Sequence, residues 1–396
     1  MFRSLALIAI LLVFLAVLCA MHAYLALRLV IDPGFPDPWR GLALGAIALF
    51  GVLLFLEPFG ERLLPPRRLR WLAWPAALWM GLAFVLMNLL LATDALLWFV
   101  SAPALAAGAF EPSAEGPLTL RAAGVMLVAL VACGVALRQG LRPPRLVRER
   151  FELERWPRAL DGFRIVQLSD VHIGPLLGRR FAAGLVERVN ALQPDLVVLT
   201  GDLVDGSPAH LAEEVAPFGE LRAVHGVYFV TGNHDHLSNA SSWARAVSDL
   251  GITVLRNRHV RIEVGEGADG ASFDLIGVDD HRSGAIGGGG EDLDAALRGR
   301  DPERPAVLLA HDPSTFRRAR GESIDLQISG HTHGGQIWPF RYVVRLLIPW
   351  VAGRYREGGA QLYVSRGTGF WGPPMRLLAP AEITELTLHA PIPAAL

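Results

Sequence analysis

The chain has 396 residues, 52% of them hydrophobic and 19% charged, and a formal net charge of −1. These averages conceal two parts, since residues 1–140 hold 9 Arg and 7 acidic residues whereas the remaining 256 hold 28 and 31. A single uniform globular domain and a disordered chain are both excluded, because the first part is too apolar to stay soluble alone. A near-neutral chain offers no basic face, so no nucleic-acid partner is expected. All 37 basic residues are Arg, a usage that points to a GC-rich, bacterial genome rather than to function. The two cysteines, Cys19 and Cys133, lie in apolar runs and imply neither a disulfide framework nor a thiolate site.

In chain order, uncharged stretches at residues 4–27, 41–56, 71–93 and 122–137 predict a transmembrane module of four helices over residues 1–137. About 20 apolar residues carry a helix across the hydrocarbon core. The first and third stretches meet that length, and the shorter second and fourth are flanked by Arg40, Arg121 and Arg138, which can snorkel to the interface. The first run is too long for the apolar core of a cleaved signal peptide. Orientation follows from the arginines. Arg62, Arg67, Arg68 and Arg70 follow the second span, Arg138, Arg142, Arg145, Arg148 and Arg150 follow the fourth, and residues 94–120 contain none. Both termini are therefore expected in the cytoplasm, with the module in the bacterial inner membrane. The apolar run at 95–110 is long enough to raise the case of a fifth span, but only Thr93 and Asp94 remain for a reversal and Pro103 interrupts it. A re-entrant or interfacial segment is expected there, with Asp94 facing water at a helix end. Residues 138–155 read as an Arg-rich juxtamembrane linker, where each Arg near an anionic surface adds about 1 kcal/mol of attraction.

From residue 156 to 390 the pattern is that of a soluble α/β domain, followed by a tail at 391–396. Runs rich in Val, Ile, Leu and Phe at 163–168, 195–200, 227–231, 306–310 and 324–329 predict strands bounded by Gly, Asp, Asn and Pro. Helical segments at 179–192 and 211–222 alternate with the first of them, and runs at 272–278 and 383–388 indicate a more β-rich second part. The glycine tract Gly287–Gly290 is a loop without the strand-to-helix context of a phosphate cradle.

The informative residues follow the strands. Asp170 and His172 stand in S-D-V-H, Asp202 and Asp205 in T-G-D-L-V-D, Asn233, His234 and Asp235 in G-N-H-D, His311 in A-H-D-P, and His331 and His333 in S-G-H-T-H-G-G-Q. Five strand ends terminating in carboxylate, amide or imidazole are expected where loops at one sheet edge converge on a site. Any one of these residues alone would pass for a turn residue or an ordinary histidine. Donors of Asp, His and Asn without thiolate suit Mn, Fe or Zn. Seven of them suffice for two divalent ions sharing one carboxylate, an arrangement that clamps a phosphoryl group and lowers the pKa of a bridging water. His234 has no evident metal role and suits a general acid for the leaving oxygen, with Asp235 as its orienting carboxylate.

The run D-x-H, G-D-x-x-D, G-N-H-D, H and G-H-T-H resembles the calcineurin-like metallophosphoesterase superfamily over residues 162–388, and its G-H-T-H-G-G-Q and Y-V-S-R-G variants resemble a membrane-associated bacterial branch. The resemblance implies a sandwich of two β-sheets flanked by helices with a dinuclear centre. It further implies that Asp170, His172, Asp202 and His333 hold one ion, that Asp202, Asn233, His311 and His331 hold the other with Asp202 bridging, and that His234 is catalytic. The function expected is a membrane-anchored phosphohydrolase acting through a metal-bridging hydroxide on a phosphoester or phosphoanhydride. The alternative is a metal-binding scaffold or sensor on a membrane anchor.

Two apolar clusters, at 337–351 and 370–375, flank the last ligand segment. They predict an acyl-chain groove or a membrane-dipping lip, with Arg341, Arg345 and Arg354 meeting phosphate, or else ordinary packing of a last strand pair. The expected partners are the lipid bilayer and a phosphorylated small molecule or phospholipid as substrate. Asp279, Asp280 and His281 form a further run at a strand end and are candidates for substrate contact.

Overall fold

The computed structural model describes residues 2–106, 115–265, 270–286 and 289–391. The tail beyond residue 391, residues 107–110 of the apolar run at 95–110, and Gly287 and Gly288 of the glycine tract lie outside the described residues. The chain divides into two compact units, Met1–Arg138 with Gly372–Met375, and Gln139–Trp371 with Arg376–Leu396.

The first unit contains α1 (Phe2–Ala26), prolonged by a π-helical turn at Leu27–Ile31, then α2 (Trp39–Leu63), α3 (Pro66–Ala106) and α4 (Glu115–Gly140). Each contains a stretch long and apolar enough to cross a membrane: Leu11–Ile31, Trp39–Gly60, Pro66–Val100 and Leu118–Gly140. A helix satisfies its backbone internally, which is what hydrocarbon demands. Small residues form the seams, with Ala73, Ala76, Ala83, Ala129 and Ala136 buried, while Leu12, Val17, Leu49 and Val131 face outward.

Two expectations are corrected here. Residues 95–106 continue α3 instead of forming a re-entrant segment. Asp94 sits within α3, not at a helix end, and accepts hydrogen bonds from Tyr24 Oη at 2.6 Å and Arg28 Nε at 3.0 Å while pairing with Arg121. The carboxylate is neutralised by cations from the π-helical turn after α1 and from α4, so the helix has no need to end where the charge falls. Lower in polarity, Trp79 donates to His22 Nε2 at 2.9 Å, and His22 Nδ1 bonds the Leu18 carbonyl at 2.8 Å.

The second unit is a sandwich of two six-stranded sheets with flanking helices, as the strand pattern and the resemblance imply. One sheet runs β1 (Arg145–Glu152), β12 (Glu382–His389), β2 (Phe163–Leu168), β3 (Leu196–Thr200), β4 (Val227–Val230) and β5 (Thr253–Val254). The other runs β10 (Gly353–Glu357), β11 (Ala360–Val364), β9 (Leu326–Ser329), β8 (Ala306–Leu309), β7 (Ala271–Gly277) and β6 (Arg258–Val264). Strands β2 to β5 are mutually parallel, as are β7, β8, β9 and β11. The helices are α5 (Arg179–Ala191), α6 (Pro208–Val215), α7 (Asn233–Leu237), α8 (Ala240–Asp249), α9 (Ser283–Ile286), α10 (Leu293–Leu297), α11 (Phe316–Ala319) and α12 (Phe340–Leu347).

Strand periodicity explains how one apolar run serves two cores. Phe163 and Ile165, and Leu196 and Val198, point between the sheets onto Phe273, Leu275, Val307 and Ile328. The alternate residues Val166, Leu168, Val197 and Leu199 point outward onto Ala182, Leu185, Val189, Leu211 and Trp243 of α5, α6 and α8. Truncating a fully buried aromatic such as Phe273 to Ala in such a core costs about 3–5 kcal/mol.

The juxtamembrane linker expected at 138–155 is also corrected. Arg145–Glu152 is an edge strand paired parallel to β12, and only residues 141–144 separate it from α4. Its charges mark an edge: Arg145, Arg148, Arg150 and Glu152 are exposed, while Phe151 alone is fully buried, between the sheets. Charged side chains on an edge strand block further strand pairing.

Candidate metal centre

Parallel strands end at a common edge, and the loops after β2, β3, β4, β8 and β9 carry every ligand expected from sequence. The ends are laced together by Asp170 N donating to Gly201 O at 3.0 Å, His172 N to Asp202 O at 3.1 Å, and Gly330 N to His311 O at 3.0 Å. Between the sheets, Gln167 Nε2 donates to Thr200 Oγ1 at 2.7 Å and to the Ser329 carbonyl at 2.9 Å.

Local backbone conformation turns the side chains inward. Asp170, His172, Asp202, His331 and His333 all hold positive φ, between 50° and 70°. A non-glycine residue there costs about 1–2 kcal/mol, and such strain concentrates at functional sites. Gly232 and Gly330 permit the approach: a Cβ on Gly232 would meet Asp202 Oδ1, and one on Gly330 would meet Ser169 Oγ.

Three groups of donors result, and the third joins His172 to Asp205 and His234. Asp170, His172 and His333 form one, with His172 Nε2 3.1 Å from His333 Nε2 and the latter 3.3 Å from Asp170 Oδ1. Asp202, His311 and His331 form the second, with His311 Nε2 3.1 Å from Asp202 Oδ2 and 3.2 Å from His331 Nδ1. Asp202 Oδ2 also lies 3.9 Å from His172 Nε2, so a single carboxylate oxygen faces both of these groups. Asn233 Oδ1 is buried without a hydrogen-bond partner.

The donor set fits divalent cations. Imidazole nitrogens facing each other across 3.1 and 3.2 Å bring lone pairs together, and an orphaned buried carbonyl requires a partner. Outer contacts set the tautomers. His311 Nδ1 bonds the Thr200 carbonyl at 2.8 Å, which assigns its proton there and leaves Nε2 free. His172 Nδ1 lies 3.0 Å from both oxygens of Asp205, with the same consequence.

Asp205 and not Asp235 touches the predicted acid. His234 Nδ1 lies 2.8 Å from Asp205 Oδ1. Asp235, expected to orient His234, is wholly buried and accepts from the backbone amides of Asp202 at 2.8 Å, Leu203 at 2.9 Å and Gly232 at 2.8 Å. An Asp at the third position of a short helix folds back onto its N-terminus, which takes it away from the ring beside it. Burial, and the charge of Asp202, push the Asp235 carboxyl up to about 7. Burial would lower the His234 pKa, but the carboxylates of Asp202 and Asp205 outweigh it and raise the ring to about 9.

Arg376 was not singled out by sequence. Fully buried, it donates to the carbonyls of His333 at 3.1 Å and Ala379 at 3.2 Å, with NH2 3.2 Å from His333 Nδ1. Its place in P-P-M-R gave no signal, whereas Asp205 lay within the G-D-x-x-D motif. Arg341 and Arg345 stand exposed on α12. Arg354 is taken up by Glu149 at 3.7 Å and by the ring of Phe151. Asp279 accepts from Arg256 at 2.8 Å and from Thr231 at 2.9 Å, and His281 Nδ1 lies 2.8 Å from Glu291.

The sequence profile described as calcineurin-like phosphoesterase matches residues 163–335. A cattle protein described as a transmembrane protein with metallophosphoesterase domain is 41% identical over 282 residues, covering 69% of this chain and 63% of that one. This chain thus spans less than two thirds of that relative's length. An uncharacterized metallophosphoesterase of Aquifex aeolicus is 32% identical over 250 residues, covering 62% of this chain and 91% of that one. A dimetal phosphatase structure from Danio rerio aligns with TM-score 0.35 at 14% identity, covering 57% of this chain and 98% of that one. With the ordered motifs and the sequence relatives from cattle and Aquifex aeolicus together, the chain belongs to the calcineurin-like metallophosphoesterase family.

Proposed function

We propose that the protein is a membrane-anchored phosphohydrolase that holds two divalent cations, Mn, Fe or Zn, and cleaves a phosphoester or phosphoanhydride bond in a phosphorylated small molecule or phospholipid. Residues 1–137 serve as the membrane anchor and residues up to 390 as the catalytic domain. The Arg distribution favours a cytoplasmic catalytic domain at a bacterial inner membrane. The observation that carries the reading is the facing of two donor groups across Asp202 Oδ2, at 3.9 Å from His172 Nε2 and 3.1 Å from His311 Nε2.

Asp170, His172, His333 and Asp202 would hold one cation, and Asp202, Asn233, His311 and His331 the other. When bound, such a pair lowers the pKa of water and neutralises phosphoryl charge. The chain's own part is positioning and proton transfer. Asp205 fixes the rings of His172 and His234 through their Nδ1 atoms. Its carboxylate leaves His234 Nε2 as the proton donor to the leaving oxygen. The ring of Trp371, edge-on to His234 at 5.7 Å between centroids, covers one side of that donor.

The test is hydrolysis of paired p-nitrophenyl phosphate and bis-p-nitrophenyl phosphate by the purified full chain in detergent, after loading with Mn, Fe or Zn. Asp202→Asn and His234→Ala are expected to abolish turnover. Turnover by Asp202→Asn equal to that of the unsubstituted protein would overturn the dinuclear assignment.

A further inference from the structure

The segment that follows His333 forms a helix with no buried side. Along α12 none of Phe340, Tyr342, Val343, Leu346 or Leu347 is buried, and Leu346 and Leu347 are 87% and 70% exposed. Trp338, Trp371 and Leu378 extend the same exposed apolar surface. Monomeric soluble domains rarely leave so many large apolar side chains together in water. The surface is built into the site: Gln336 Nε2 donates to the Trp371 carbonyl at 2.8 Å, Trp371 N returns a bond to Gln336 Oε1 at 3.1 Å, and Trp371 abuts His234. Trp338 N and Leu377 O are joined at 3.1 Å, so the two exposed segments move as one.

The chain itself identifies what covers this surface. Helix α4, apolar enough to cross a membrane, ends at Gly140, and β1 starts at Arg145. A four-residue link thus tethers the second unit's first strand to a helix apolar enough to cross a membrane. At such effective concentration a modest apolar face suffices for docking. Composition agrees, with Trp338, Tyr342 and Trp371 among its exposed side chains, and with exposed Arg341 and Arg345 one turn apart on α12, suited to headgroup phosphates.

We propose that α12, with Trp338 and Trp371, is a bilayer-docking surface that sinks its apolar side chains among the acyl chains of an anionic phospholipid membrane and presents the metal centre to a phosphodiester held in that membrane. Docking stands on the exposed surface alone, whereas delivery of a lipid substrate rests on the phosphohydrolase reading above.

The full chain, with Cys19→Ala and Cys133→Ala, is placed one copy per nanodisc of phosphatidylglycerol and phosphatidylcholine. Leu346→Cys carries an environment-sensitive fluorophore. Val224→Cys, 76% exposed in the loop before β4 and thus at the strand end opposite the ligands, serves as control. Nitroxide-bearing lipids are expected to quench the label at 346 and not at 224. Equal behaviour of the two positions overturns docking. A Val343→Glu, Leu347→Glu double variant is expected to lose hydrolysis of a membrane-held phosphodiester by about tenfold while keeping bis-p-nitrophenyl phosphate turnover within about twofold. Equal loss on both substrates overturns delivery. Quenching at 346 without hydrolysis of either substrate by the unsubstituted chain defeats the phosphohydrolase reading and leaves docking intact.

Discussion

Asp205→Asn isolates what the carboxylate shared by two histidine rings contributes. Its two oxygens lie 3.0 Å from His172 Nδ1, and Oδ1 lies 2.8 Å from His234 Nδ1. Both rings therefore use Asp205 as acceptor. Burial opposes its ionisation, but His172 and then His234 outweigh burial and hold the carboxyl well below the usual range. An Asn of the same shape offers one acceptor and one NH2 group. One ring must then turn or carry its proton on Nε2 alone, which either blocks the His172 donor atom or leaves His234 a neutral ring whose Nε2–H is a weaker acid. Hydrogen bonds to a charged group contribute about 1.5–3 kcal/mol, so each lost contact corresponds to roughly a 10- to 100-fold effect. Where His172 suffers, metal affinity is expected to fall by about 10- to 100-fold, as for other groups that orient a ligand. Where His234 suffers, kcat falls by the same order at saturating metal, with KM little changed. The assay is a metal titration followed by steady-state hydrolysis of bis-p-nitrophenyl phosphate at saturating metal. Metal affinity and kcat both within about twofold of the unsubstituted protein would refute the orienting role.

Asp202→Asn is expected to lower bound metal from two ions toward one per chain and kcat by about 1,000-fold or more, read by elemental analysis and turnover on the same sample. Gly330→Ala puts a methyl group onto Ser169 Oγ and Asp170, so its metal content and melting temperature are both expected to fall. Chelation should lower the melting temperature of the full chain, since cations that bind only the folded state at 100 times Kd contribute about 2.7 kcal/mol. Asp94→Asn leaves Arg28 and Arg121 without their shared carboxylate and is expected to lower the melting temperature in detergent without altering hydrolysis.

Residues whose role is written in local chemistry were legible in the sequence. Strands β2, β3 and β4 are runs of Val, Ile, Leu and Phe because both of their faces are covered, and the ligand motifs begin where those runs stop. Edges were harder to read. In β1 only Phe151 is fully buried between Arg and Glu neighbours, so a strand looked like a basic linker. In α3 the charge of Asp94 looked like a helix end because its cations, Arg28 and Arg121, come from 66 and 27 residues away. The roles of Asp205 and Asp235 were ambiguous for a related reason. Both are acids in ligand loops, and only three-dimensional geometry shows that Asp235 folds onto amides of its own helix and of the β3 loop. Arg376 carries no signature at all, because a buried cation serving carbonyl groups needs no particular spacing from the residues it holds.

The five donor residues at positive φ allow the strain to be measured against stability. His331 has φ 70°, whereas His311 is not among the positive-φ residues. Glycine at either position removes a ligand and adds about 0.5–1 kcal/mol of chain entropy cost. At position 331 it also relieves about 1–2 kcal/mol of left-handed strain. At position 311 it relieves none and breaks the bond to the Thr200 carbonyl, which contributes about 0.5–1.5 kcal/mol. In chelator, His331→Gly is therefore expected to be less destabilising than His311→Gly by about 2 kcal/mol. A catalytic unit of this size translates that difference into a melting-temperature gap of roughly 4–8 °C. Scanning fluorimetry of the full chain in detergent reads it directly, and turnover should be lost in both variants alike. A gap no larger than the lost Thr200 bond accounts for, about 0.5–1.5 kcal/mol, would mean that the left-handed donors are not strained, and that the site's backbone is shaped by its hydrogen bonds rather than held against a conformational cost.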